Sequence, residues 1–164
     1  YLYVAGQFKD SDILAYGKQD GIHHFKYGDL LEVFLWPDAN TWYWEIFATP
    51  ENRKTMYFYP GIGAKTKNCF DYPVPGTMSV ASQTQGTLNQ WKDRDEAWTT
   101  ELRIPISELT QHGDSLPSTG WRILCARYNY SRYAQGIEYS SYPQLSKVNY
   151  HLLNEYARIV FVKK

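Results

Sequence analysis

Residues 28–47, GDLLEVFLWPDANTWYWEIF, predict a strand, a turn and a second strand, and this hairpin decides the fold. The turn is PDAN at residues 37–40, where proline fixes φ and the Asp or Asn side chain can bond the local backbone. Side chains alternate between the two faces of a strand, so the first arm has one aliphatic face and one face with a carboxylate beside aromatic rings. The aliphatic face holds Leu31, Val33 and Leu35, and the other holds Leu30, Glu32, Phe34 and Trp36.

The second arm, residues 42–47, is too aromatic for an ordinary surface strand. A carboxylate and flat rings on one sheet face suit a pyranose ring, whose hydroxyls need charged acceptors and whose C–H faces need aromatic planes. Glu32 is therefore a candidate sugar ligand, and a cross-strand ion pair with Arg53 or Lys54 is its alternative. Packing within the sandwich is the prediction for the tryptophans of this stretch, Trp36, Trp42 and Trp44.

Length and charge narrow the class of protein. The chain has 164 residues and a formal net charge of zero, so it fits one domain and lacks the basic surface of a nucleic-acid binder. No apolar run approaches the roughly 18 residues of a membrane span. The 15 Tyr and 6 Trp residues in a polar sequence predict rings at partly wet positions, as in binding surfaces.

Strand patterns separated by turn signals recur along the chain, and no long helical period is present. We expect Pro105 to close a strand at a sheet edge, Ile106–Leu109 to form one helical turn, and residues 157–162, ARIVFV, to occupy a central position. The architecture predicted is an all-β, antiparallel β-sandwich of jelly-roll type with long loops and at most short helical turns. Besides the hairpin, the predicted strands are residues 1–8, 55–59, 77–88 at an edge, 98–104 and 121–130.

One loop and two cysteines carry further expectations. The polar segment 9–29 contains acids of the kind that calcium favours, among them Asp10 and Asp12, although a solvated loop explains them as well. The adjacent His23 and His24 would point apart and do not suggest a metal site. Cys69 and Cys125 are expected to be buried free thiols rather than a disulfide.

Five phrases together resemble one family. They are LYVAGQFKDSDI, GDLLEVFL, WTTELRIPISEL, GWRILCARYNYS and YSSYPQLSKVNYHLLNEYARIVF, in this order over nearly the whole chain. This series resembles the carbohydrate-binding module family 9-like domains, β-sandwiches related to the DOMON group. The resemblance implies that residues 1–164 form a single module, and that the family's first strands would precede Tyr1.

The resemblance also implies a non-catalytic, secreted or cell-surface, lectin-like module that binds a glycan and accompanies a carbohydrate-active enzyme, in some members with structural calcium, here at Asp10 and Asp12. Glu32 matches the acid of the GD-x-x-E phrase, and the stacking ring expected just before that phrase falls at Phe25 or Tyr27. Arg127 and Asn129 match a polar region after the G-W-R phrase, and the second stacking ring is sought on the loop that follows. The full carbohydrate-binding set is Phe25, Tyr27, Glu32, Arg53, Arg127, Asn129, Tyr130, Tyr133 and Tyr139.

Three other functions remain open from the sequence. Glu32 and Glu45 could form a glycosidase dyad, but nothing in the sequence separates their pKa values. The sandwich could instead be a structural or protein-docking domain of a multidomain surface protein. A DOMON-like haem binder would need an axial ligand such as Met56 or Met78 together with His or Lys.

Overall fold

The computed structural model describes residues 1–71, 78–111 and 120–161, and in these ranges the protein is almost entirely antiparallel β-structure. One helical turn, α1 (Ile106–Leu109), follows Pro105 as the sequence predicts. Single 3-10 turns lie at His24–Lys26, Cys69–Asp71 and Leu153–Glu155. The strands are β1 Leu2–Lys9, β2 Leu30–Pro37, β3 Tyr43–Ala48, β4 Lys54–Tyr59, β5 Lys67–Asn68, β6 Ser79–Gln85, β7 Ala97–Ile104, β8 Trp121–Asn129, β9 Glu138–Tyr142 and β10 Ala157–Ile159.

The strands form two sheets. The small sheet has the order β1-β7-β6, and the large sheet has the order β10-β8-β2-β3-β4-β5, with β9 also paired to β8. β9 and β10 follow one another along the same edge of β8, where β10 pairs with residues 121–123 and β9 with residues 125–129. The hairpin predicted from residues 28–47 is β2–β3, and it lies in the middle of the large sheet.

The main hydrophobic core lies between the two sheets and is built by strand alternation. Alternate residues of β2, β3 and β4 point from the large sheet toward the small one, where they meet Trp98, Leu102 and Ile104 of β7. The aliphatic face predicted for β2 is thus confirmed as core, and Trp44 packs there fully buried. Trp42 packs against this core and Trp36 against the opposite face, as expected for rings that serve packing.

The opposite face of the large sheet is also covered, although by loops rather than by a sheet. Leu153, Tyr156 and Tyr150 pack over Phe34 and Leu124 at one end. Phe25 and its neighbours pack over Leu30, Phe47 and Tyr57 at the other. Every residue of β3 is therefore buried, as are seven of the eight residues of β2.

The structure corrects several boundaries. Pro105 does not close an edge strand, because β7 lies between β1 and β6 and the proline follows the last paired residue, where no ladder bond is lost. Residues 157–159 form a three-residue edge strand and not a central one, since they pair only with the start of β8. The connection after β8 contains the strand β9, which its polar composition hid. Residues 72–77, 112–119 and 162, on which parts of the predicted loops and strands fall, lie outside the described residues.

Within the described ranges, no helix has the length and apolar character that crossing a bilayer requires.

Gly28 is a position where the fold requires glycine. Its φ is +139°, and a Cβ atom built there would lie 2.1 Å from the carbonyl oxygen of Leu14. That close approach allows the bridge between Ala15 and Gly28 and the hydrogen bond from the amide of Asp29 to the carbonyl of Leu14. These bonds attach the loop of residues 10–29 to the start of β2.

We predict that Gly28→Ala lowers the free energy of unfolding by about 3 kcal/mol or more, the sum expected for a strained φ and an overpacked contact. Urea denaturation followed by tryptophan fluorescence measures this change. The control is Gly136→Ala, where a Cβ atom meets nothing within 4 Å and the change should stay within about 0.5 kcal/mol. Equal stability of the two variants would contradict the tight approach at Gly28.

Candidate functional site

Two glutamates form the floor of the candidate site. Glu32 on β2 pairs with Phe47 of β3, and Glu45 on β3 pairs with Phe34 of β2, so the two acids are diagonal neighbours on one sheet face. Their face is the one turned away from the main core. On the other side of Glu32, the paired residue of β8 is Ala126, which is buried in the cluster around Phe34 and Tyr150.

A cavity of about 310 Å³ lies above these two acids. Its size is at the lower end of the range for small-ligand sites. One wall comes from residues 23–25 and another from residues 148–151, with Tyr59 of β4 and Tyr128 of β8 completing it. The lining residues are His23, Phe25, Glu32, Glu45, Tyr59, Tyr128, Val148, Asn149, Tyr150 and His151.

Hydrogen bonds and ring contacts hold these walls in position. The hydroxyl of Tyr43 and Nδ1 of His151 share a hydrogen bond of 2.9 Å, and the ring of Tyr43 stacks on that of Tyr59 with centroids 4.6 Å apart. The hydroxyl of Tyr130 donates to the backbone carbonyl of Phe25. Both covering loops are thus tied to the sheet, which favours a preformed cavity.

The electrostatics of the floor are unusual for a buried sheet face. Glu32 is 2% exposed and Glu45 is 4% exposed, and the Oε2 atom of each has no hydrogen-bond partner. Burial, and then the neighbouring charge of Glu45, raise the pKa of Glu32 well above its usual range. The raised pKa favours the protonated form of Glu32, which is able to donate a hydrogen bond. Among the described residues, neither Lys nor Arg lines the cavity.

Two further cavities adjoin this one. A cavity of about 430 Å³ shares His23 with it and is lined by Lys26, Tyr27 and Tyr57, among others. A cavity of about 330 Å³ on the other side shares Val148 and Tyr150 and is lined by Tyr139. We call the cavity above Glu32 and Glu45 the central cavity and the two beside it the flanking cavities. The three together form the cavity row.

The structure brings together only part of the predicted sugar-binding set. Phe25 and Glu32 line the central cavity, and Tyr27 and Tyr139 line the two flanking cavities. Tyr130 lies behind Phe25 and positions it through the hydrogen bond to its carbonyl. These five residues therefore belong to one region.

Arg127 and Asn129 lie apart from that region. Arg127 follows Ala126 on β8 and points to the opposite face of the sheet, where it pairs with Asp10 at 2.7 Å and lies over the ring of Phe8. A terminal nitrogen of Arg127 also donates to the side-chain oxygen of Asn129. A sugar contact by Arg127 or Asn129 stays a prediction from the sequence and does not belong to the central cavity.

Arg53 and Lys54 do not pair with Glu32. Lys54 forms an ion pair with Asp20 at 2.5 Å, and its strand position points it to the face opposite Glu45. Arg53 lies in the turn before β4 and does not line any of the three cavities in the row. The cross-strand ion pair considered for Glu32 is therefore absent from the described contacts. The ionisable neighbour of Glu32 is Glu45 instead.

The acidic loop residues are held by arginines. Asp12 accepts hydrogen bonds from the backbone amide and the guanidinium of Arg132, which lowers the pKa of Asp12 despite its burial. Asp10 pairs with Arg127. Among the described residues, no group of three or more His, Cys, Asp or Glu side chains could hold a metal ion. The donor set at Asp10 and Asp12 does not fit calcium in this arrangement, and the calcium site stays a prediction.

A second aromatic surface lies near Arg132. Tyr133 is 58% exposed, and the guanidinium of Arg94 lies 5.5 Å from its ring centroid. Trp91 is 70% exposed, with the ammonium of Lys92 5.2 Å from its ring. Neither ring lines the central cavity, so Tyr133 is separate from Phe25 and Glu32.

The two cysteines and the two methionines lie outside the central cavity. Cys69 and Cys125 are free, as expected, and burial raises the pKa of each thiol to about 11. Met56 and Met78 are both buried in the main core, and neither lines the central cavity. Haem ligation by either methionine remains a prediction.

Sequence reasoning missed most of the cavity walls. Glu45 and Tyr59 share the face of Glu32 by strand alternation, so the β2–β3–β4 meander contained the signal for them. Tyr150 and His151 come from a long connection that reaches the cavity only through tertiary packing. No local pattern marks such residues.

Comparisons with known proteins give one result about the fold. No protein-family model matches the chain, and no curated protein matches it. A crystal structure from Bacteroides uniformis ATCC 8492, named for an inferred carbohydrate-binding role, is similar with a TM-score of 0.75, 14% sequence identity, and coverage of 98% of this chain and 72% of that chain. At this identity the likeness establishes the fold, an antiparallel β-sandwich, and no more.

We predict that Glu32→Gln changes how stability depends on pH. Because the pKa of Glu32 is raised on folding, the unfolded chain releases a proton that the folded chain keeps, so wild-type stability falls as pH rises above about 4.5, by up to about 1.4 kcal/mol per pH unit. In Glu32→Gln, residue 32 does not titrate, so this loss of stability with rising pH does not occur. Urea denaturation at pH 5, 6.5 and 8 should therefore give a difference, variant minus wild type, that grows with pH.

The matched control is Glu101→Gln on the exposed face of β7, for which the difference should be constant across pH. Groups that do not interact with residue 32 cancel in the difference, which includes the interaction of Glu32 with Glu45. Parallel pH curves for wild type and Glu32→Gln would mean that Glu32 is ionised in the folded chain.

Proposed function

We propose that this domain binds carbohydrate without catalysing a reaction, and that the central cavity is its sugar site. One observation carries the proposal: two buried glutamates line a cavity walled by aromatic rings, and one carboxyl oxygen of each has no hydrogen-bond partner. Buried polar groups normally have hydrogen-bond partners, so oxygens left without any in a cavity are ready for a ligand. The carbohydrate-binding role inferred for the similar structure from Bacteroides uniformis is consistent with this function.

The two acids offer complementary chemistry to a sugar. Protonated Glu32 can donate to one hydroxyl, and Glu45 can accept from the next, which matches neighbouring hydroxyls of a pyranose. The rings of Phe25, Tyr128 and Tyr150 provide apolar planes for its C–H faces. Together these contacts would give orientation as well as affinity.

The flanking cavities suggest a ligand longer than one unit. Tyr27 lies on one side of the central cavity and Tyr139 on the other, so a linear oligosaccharide could continue in both directions. Such a site would bind internal stretches of a glycan. We further propose that the domain acts outside the cell and accompanies a carbohydrate-active enzyme, which it would bring to its polymer.

The arrangement of the acids favours binding over hydrolysis. In a glycosidase the two carboxyl groups flank the scissile bond, about 5–10 Å apart. Glu32 and Glu45 rise from adjacent strands on the same sheet face, so both would meet a sugar from the same side. Neither Glu32 nor Glu45 would therefore lie on the opposite side of the sugar ring, where the nucleophile or base of a glycosidase acts.

We predict that calorimetric titration, after a screen of plant, algal and microbial polysaccharides, detects binding that depends on Phe25. Phe25→Ala removes one stacking plane and should weaken binding about tenfold, which corresponds to about 1.4 kcal/mol. Reducing-sugar assays with the same glycan should show no cleavage.

Tyr133→Ala is the matched control, since it removes an exposed ring outside the cavity row and should leave the affinity unchanged. The proposal fails if no glycan binds. It also fails if Tyr133→Ala abolishes binding while Phe25→Ala does not, because the sugar would then lie on the other aromatic surface.

A further inference from the structure

We infer that the central cavity selects a sugar unit bearing a protonated primary amine, a hexosamine, over the corresponding neutral hexose. The inference rests on the proposed function and specifies the ligand class of the same site. It follows from the charge and hydrogen-bonding capacity of the cavity floor.

The floor of the central cavity has two carboxyl groups and, among the described residues, no Lys or Arg side chain beside them. Glu32 and Glu45 each present an unpartnered Oε2 atom and are almost fully buried. Buried carboxylates are normally compensated by Lys or Arg, as Asp10 and Asp12 are in this protein. Neither Lys nor Arg in the described part of the chain lines the central cavity, so the compensating charge comes from a proton, on the acids or on the imidazoles of His23 and His151, or from a ligand.

An ammonium group matches this floor better than a hydroxyl does. It carries three donors and a positive charge, so one ammonium can bond both carboxyl groups and neutralise one carboxylate while interacting with the other. A sugar hydroxyl carries a single donor and no charge. With a neutral sugar the two acids must keep a shared proton, since two adjacent carboxylates cannot both ionise at low cost in a buried site.

The walls favour a cation as well. Phe25, Tyr59, Tyr128 and Tyr150 surround the cavity, and the faces of aromatic rings attract ammonium groups. The titratable groups that interact with the two acids include two imidazoles and five phenols. His23, Tyr59, Tyr128, Tyr150 and His151 line the cavity, and Tyr43 and Tyr156 lie near enough for burial and the acids to raise their pKa.

The flanking cavities are lined by positively charged side chains, whereas the central cavity is lined by acids. Lys26 lines one of them and Lys147 the other, and both side chains are exposed. These ammonium groups would repel an amine there and accept hydroxyls or carboxylates instead. The amine is therefore selected in the central cavity alone.

Amine binding also has a signature that neutral sugars lack. A cationic ligand stabilises the ionised form of Glu32, so a proton held by its carboxyl group is released on binding. A neutral sugar leaves that proton in place. Calorimetry in two buffers of different ionisation enthalpy measures the number of protons released.

The experiment compares glucosamine, galactosamine and mannosamine with their parent hexoses and N-acetyl derivatives, using the full chain at pH 6, where the sugar amines are protonated. Titrations followed by protein NMR should give at least one amine that binds tenfold or more tighter than its parent. That amine should release up to about one proton, and its parent none.

The double variant Glu32→Gln, Glu45→Gln keeps the shape of the floor and removes both carboxyl groups, so it should abolish the preference and the proton release. Glu101→Gln, on the exposed face of β7, should retain both. The NMR spectrum reports whether each variant is folded.

Equal binding of the amines and their parents at resonances around Phe25 would overturn the inference and leave the proposed function standing. Failure of every sugar and polysaccharide to bind would overturn both. An amine preference that survives in the double variant Glu32→Gln, Glu45→Gln would also overturn the inference, since the carboxyl groups would not be its cause.

Discussion

The β2–β3 hairpin is buried on both faces, and the rest of the structure depends on this constraint. An antiparallel sheet can leave one face in water, yet here the small sheet covers one side and two loops cover the other. Burial on both sides places Glu32 and Glu45 in an apolar layer, where an ionised carboxylate is costly without a partner. The protein accommodates them by raising the pKa of Glu32 and by leaving a cavity above the pair.

The loops that cover the second face create the site as well as the burial. The segment around Phe25 and the segment around Tyr150 do not close completely over the sheet, and the central cavity lies between them. Ordinary packing would fill such a gap with an aliphatic side chain. Aromatic walls and unpartnered carboxyl oxygens instead form a surface that is suited to a polar ligand with apolar faces, which is the chemistry of a sugar.

The sequence predicts the large sheet well because strand alternation is local. Leu31, Val33 and Leu35 face the core and Glu32 faces the other way, as their spacing requires. The position of Pro105 and the length of β10 could not be predicted, since each depends on which strands become neighbours. The cavity walls at Tyr150 and His151 come from a long polar connection whose path is set by tertiary contacts. The predicted set also joined Arg127 to Glu32, although one residue of register puts Arg127 on the opposite face, where it compensates Asp10.

The most direct test of the central claim is a crystal structure of the protein soaked with an oligosaccharide that binds in solution. The account predicts a sugar ring in the central cavity, with its polar groups on the Oε2 atoms of Glu32 and Glu45 and a face against Phe25 or Tyr150. A sugar found instead on the exposed rings of Trp91 and Tyr133, with the central cavity filled only by water, would contradict it.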